Sequence, residues 1–112
     1  MMMTEADNIV ILITSPSSEE AQGIAELLLS QRQAACVNII SGVESRFWWQ
    51  GKLESAKESL LIIKTKASQL EEIVIAVKQV HSYAVPEIIA LPVVGGNADY
   101  LDWIQNEVKD GK

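Results

Sequence analysis

The residues that could do chemistry are few and far apart. There is one histidine, His81, and one cysteine, Cys36. A neutral imidazole suits copper or zinc, and an ionised thiol is a soft metal ligand. His81 opens the connector His81–Pro86, and Glu87 starts the strand directly after Pro86. His81 and Glu87 are therefore the candidate metal contacts, for Cu2+ or another divalent cation. With one imidazole per chain such binding is expected to be weak. Each has a plainer alternative. His81 falls where a helix ends, where its charged form also favours the helix dipole, and a carboxylate at a strand start is as often simply solvated. Cys36 lies in Ala-Ala-Cys-Val, a setting that also suits a small buried hydrophobe. The Met1-Met2-Met3 start carries thioethers for Cu(I), but three adjacent positions make poor ligand geometry.

A second group reads as a ligand cleft made of Cys36, Trp49, Lys64 and Tyr83. Lys64 and Tyr83 are possible donors to an anion. Trp48 and Trp49 are consecutive, and consecutive strand residues point to opposite faces, so at most one can wall a cleft while the other packs on a partner. Phe47, Trp48 and Trp103 are assigned to such an interface. Nothing builds an active site. The lone histidine and cysteine form no nucleophile–base pair, no phosphate-binding loop occurs, and Gly95-Gly96-Asn97 is too short for one. The expectation is a binding protein with no organic cofactor, not an enzyme.

These residues need elements to hold them. Ile9–Thr14 is a β-branched run stopped by Ser15-Pro16, and reads as a buried strand. Ser17 and Glu20 have capping-box spacing, and Ala21, Ile24, Ala25 and Leu28 form a helical stripe, predicting a helix over Ser18–Gln33. Cys36–Ile40 is strand-like, Ser41-Gly42 marks a bulge, and the extended pattern resumes through Val43–Trp49. Gln50-Gly51-Lys52 supplies a hairpin turn, and the return arm ends in Leu60–Lys66. Ser68 and Glu71 suggest a second capping box, before the stripe Leu70, Ile73, Val74 and Val77. A strand over Glu87–Val94 follows. Asn97 is a good N-cap for a last helix over Ala98–Lys109.

The order β-α-β-β-α-β plus a terminal helix describes an α+β ferredoxin-like sandwich, and residues 1–112 read as a single domain. The central hairpin arms are far longer than the ~5–6 residues of an average strand. Its aromatic end must project beyond what two helices cover, and bare edges with aromatics invite pairing. An oligomer follows from length and burial alone.

Bulk properties narrow the partners. The 112 residues carry 15 acidic and nine basic side chains, for a net charge of −6. The basic residues are scattered, so a nucleic-acid partner is not expected. No apolar run approaches the ~20 residues of a membrane-spanning helix, and the start has no basic region of secretory type. A cytoplasmic protein with no membrane partner is the expected setting.

Ala34–Ile40, Phe47–Lys52, Ile63–Thr65, His81–Ile89 and Tyr100–Ile104, in this order and spacing, form a specific set. Through them the chain resembles the CutA divalent-cation-tolerance family. It implies a ferredoxin-like fold, a tight homotrimer in which strands extend a neighbour's sheet, and a role in tolerance of divalent cations, copper above all. The trimer so implied is similar to that of the PII signalling proteins, which bind small effectors between subunits. Two departures stand out. Ser82 follows the histidine where the family usually has proline. Ile13 and Val80 occupy positions where copper-linked members place a cysteine and a second histidine.

Overall fold

The computed structural model describes residues 7–111. The methionine start lies outside them. The elements are β1 (Asn8–Ser15), α1 (Ser18–Ser30), β2 (Cys36–Trp49), β3 (Lys52–Lys66), α2 (Leu70–Val80), β4 (Ile88–Pro92) and α3 (Ala98–Glu107). The four strands form one antiparallel sheet in the order β2-β3-β1-β4. This is the expected α+β ferredoxin-like arrangement with a long β2–β3 hairpin and a terminal helix. No helix among the described residues is long and apolar enough to cross a membrane.

Partners across antiparallel rungs share a face, so the register sorts the sheet. Val37, Ile63, Ile11 and Ala90 form one rung, and Ile39, Leu61, Ile13 and Ile88 the next. This face takes the stripes of α1 (Ala21, Ile24, Ala25, Leu28) and α2 (Ile73, Val77) and makes the core. The other face carries the rungs Asn38–Ile62–Leu12–Ile89 and Cys36–Lys64–Val10–Leu91. Apart from Asn38 and Lys64 near the β2 edge it is apolar too, yet Val10, Leu12 and Ile62 are half-buried and Ile89 and Leu91 exposed. Among the described residues that open face is bounded by β2 and β4, the outer strands of the sheet.

The hairpin turns through Gln50 and Gly51, both at positive φ (49° and 78°), the two-residue turn that matches strand twist. The register shifts between Ile40 and Val43, and Gly42 takes φ 75° inside that bulge.

Several boundaries differ from those expected. The first helix stops at Ser30, not Gln33, because Arg32 adopts φ 56° and the amides of Gln33 and Ala34 turn back to the Leu28 carbonyl. Arg32 tolerates that backbone while its guanidinium donates to the carbonyl and carboxylate of Glu107, capping the end of α3. The second capping box does not form. Ser68 already lies in a 3-10 turn, Ala67–Gln69, that leads into α2 without a side-chain cap. The fourth strand is Ile88–Pro92, shorter than expected, and α3 ends at Glu107. Asn97 caps α3 as expected, its side chain accepting from the Asp99 amide at 3.1 Å.

Candidate functional site

The connector that follows α2 is pinned to the body by His81. Its imidazole is fully buried. Nε2 donates to the Thr14 carbonyl at 2.7 Å, and Nδ1 accepts from the Tyr83 amide at 3.0 Å. A carbonyl can only accept and an amide only donate, so the tautomer is fixed as Nε2–H. Both nitrogens are thus occupied, and a cation could reach His81 only by displacing one of these bonds.

Glu20 fastens the same connector from α1. Only half of the first capping box is made, with Ser17 Oγ accepting from the Glu20 amide at 3.1 Å. The Glu20 carboxylate turns instead to the Ser82 amide at 3.3 Å and stands 3.5 Å from His81 Nδ1. The bond to Ser82 needs a backbone N–H at position 82, which serine supplies and proline would lack.

Between this connector and the projecting hairpin lies a cleft of about 720 Å³. Phe47, Trp49 and Glu58 line it from the hairpin, Tyr83 and Glu87 from the connector. The hairpin residues share a face by register: Val43 pairs with Glu58, Phe47 with Glu54, and Trp49 with Lys52. Trp48 pairs with Leu53 on the opposite face, and there the two are 73% and 61% exposed. Glu58 is only 6% exposed and accepts from the Tyr83 hydroxyl at 2.8 Å.

Tyr83 feels this setting. Its burial, then the hydrogen bond to Glu58 and the negative charges of Glu58 and Glu20, push its pKa from 10.0 to about 12. Between those values the unfolded chain gives up the phenolic proton while the folded chain keeps it. Stability should therefore fall as pH rises from about 10 toward 12. Denaturation of the parent and of Tyr83→Phe across that range tests this. The parent should lose more stability than the variant, and parallel profiles would contradict the Tyr83–Glu58 contact.

The expected cleft residues divide into two places within one chain. Trp49 and Tyr83 meet at the cleft, with Glu87 beside them. Cys36 and Lys64 sit on one rung of the open sheet face, both donating to Asn38 Oδ1, the cysteine sulfur at 3.8 Å. Cys36 is half-buried, and burial followed by contact with Cys36 raises the pKa of Tyr100 on α3. Trp103 lies 5.5 Å from Tyr100, ring to ring, both partly exposed. Among the described residues no group of three or more His, Cys, Asp or Glu is gathered to hold a metal ion.

One residue of the cleft, and one that fastens its connector, were missed in the sequence. Glu58 stands in a polar stretch, Lys52–Ser59, that reads as solvated. Its signal was parity, since it shares alternation with Leu60 and Ile62 on one strand face. Glu20 was absorbed into a capping role, and nothing local revealed its second partner.

Residues 9–107 match the family model described as CutA1 divalent ion tolerance protein. The chain belongs to that family. Its description names ion tolerance and no catalysed reaction. The "Protein CutA 1, chloroplastic" of Oryza sativa subsp. japonica is 45% identical over 107 residues. That alignment covers 96% of this chain and 60% of the rice protein, so the chain spans less than two thirds of that relative. The solved divalent cation tolerance protein from Thermus thermophilus superposes with a TM-score of 0.89 at 44% identity, covering 91% of this chain and 99% of that one. The CutA structure from Archaeoglobus fulgidus, titled a periplasmic divalent cation tolerance protein, gives 0.88 at 45% identity, covering 91% and 99%. The fold, with its long hairpin and terminal helix, is that of the CutA structures.

Proposed function

We propose that the chain, one domain over residues 1–112, works as a cytoplasmic homotrimer in divalent-cation tolerance, holding copper and similar cations weakly in the cleft between hairpin and connector. The observation that carries this is the convergence of Glu58 and Glu87 on that cleft. Carboxylate oxygens contact divalent cations, and two of them, one already bonded to Tyr83, make a shallow site rather than a cage. His81 serves as the post that fixes the connector, and Glu87 is the contact it positions. The trimer is supported by the open apolar sheet face and by the two free edges beside it, which a closed ring would cover. The free thiol of Cys36 suits a reducing compartment.

Calorimetric titration with Cu2+ tests the site. Glu87→Gln should weaken binding about tenfold, on the order of 1.4 kcal/mol, without changing the mass in solution. Equal affinity in parent and variant would overturn the assignment.

A second reading is a PII-like sensor of a small anionic effector between subunits. The cleft volume of about 720 Å³ favours it, being in the range of small-molecule sites. Lys64 and Cys36 would then reach the cleft from a neighbouring copy.

A further inference from the structure

The cleft offers more than an inorganic cation uses. Phe47 and Trp49 stand two apart on one hairpin face, with 40% and 49% of their surfaces exposed. Tyr83 faces them from the connector, its hydroxyl fixed to Glu58. Glu58 is a buried carboxylate and Glu87 an exposed one. Arg46 borders the same space, but it alternates to the other hairpin face, where its guanidinium stands 3.8 Å from Glu44. The fixed charge of the cleft is therefore negative, and its walls are aromatic.

Three ligand classes can be compared on that chemistry. A bare metal ion leaves the rings and most of the volume unused. An anion meets two carboxylates. An alkylammonium ion uses everything present: its carbons lie on ring faces, its charge is drawn to the ring quadrupoles, and its N–H groups, where it has them, donate to carboxylate oxygens in charge-assisted bonds. We propose that this cleft binds a small organic ammonium ion, an alkyl amine or diamine, with Phe47, Trp49 and Tyr83 as walls and Glu58 and Glu87 as counter-charges. The proposal rests on the reading of this cleft as the cation site.

The full chain is titrated by calorimetry with putrescine and, separately, with tetramethylammonium, Cu2+ and inorganic phosphate. Putrescine should bind, and Trp49→Phe and Glu58→Gln should weaken it by about threefold and about tenfold or more respectively. In the unaltered protein, nuclear Overhauser contacts should join the putrescine methylenes to the Trp49 indole, which keeps the test valid if a variant fails to fold. Copper binding with no amine binding at millimolar concentration would overturn this proposal and leave the cation reading standing. Amine binding without contacts to Trp49, or unchanged in a folded Glu58→Gln variant, would also overturn it. Phosphate binding in the cleft in place of putrescine would overturn it in favour of an anionic effector. Failure of both copper and amine to bind would sink the cation reading as well.

Discussion

Ile62→Glu should break the proposed trimer outright. Ile62 sits at the centre of the open face, on the rung with Asn38, Leu12 and Ile89. Completing the burial of a half-exposed aliphatic side chain contributes on the order of 1 kcal/mol. Val10, Leu12, Leu60, Ile62, Ile89 and Leu91 together would contribute about 6 kcal/mol, comparable with the marginal stability of one small chain, ~5–15 kcal/mol. A carboxylate placed there would have to be desolvated without a partner, costing several kcal/mol at each copy (about 3–5). Sedimentation should show the variant below the trimer mass, with unfolding at lower denaturant. The free thiol gives an independent readout. Cys36 shares the same face, so it should react slowly with thiol reagents in the parent and faster in the variant. The same charge at Gln22, exposed on α1, should change neither. A variant with parent mass would show that this face does not join the subunits.

His81→Ala should be the most costly single truncation in the connector. The ring is fully buried and holds β1 and the connector through two hydrogen bonds. Losing both, leaving the Thr14 carbonyl unpaired and opening a ring-sized cavity should together cost about 3–4 kcal/mol. His81→Gln, which can still donate to Thr14, should recover part of that loss. Chemical denaturation of the three proteins measures it. A cost below about 1 kcal/mol for His81→Ala, the range of an exposed site, would contradict the structural role.

The difference between what the sequence reveals and what it hides follows from the range of each interaction. β1, the core stripes of α1 and α2, the Gln50-Gly51 turn and the Asn97 cap are local patterns, and each appears where its residues predict. The hairpin length already forces an exposed aromatic end. Ser68 misled because a capping-box spacing says nothing of the 3-10 turn that absorbs it. The role of Arg32 was hidden because its partner, Glu107, is distant in sequence. The same holds at the cleft. Trp49 and Tyr83 were legible as residue types, whereas Glu20 and Glu58 acquire their roles only when the fold brings them to the connector. Cys36 and Lys64 share a rung of the open face, away from the cleft of their own chain, and no local signal distinguishes a cleft within a chain from one between copies.

Native mass spectrometry of the protein taken directly from cells reads assembly and bound cation together. A species of three times the 12.3 kDa chain mass is expected, carrying added mass from small cations that Glu87→Gln diminishes. A folded 12.3 kDa monomer at micromolar concentration, with no cation retained by parent or variant, would contradict the proposed function.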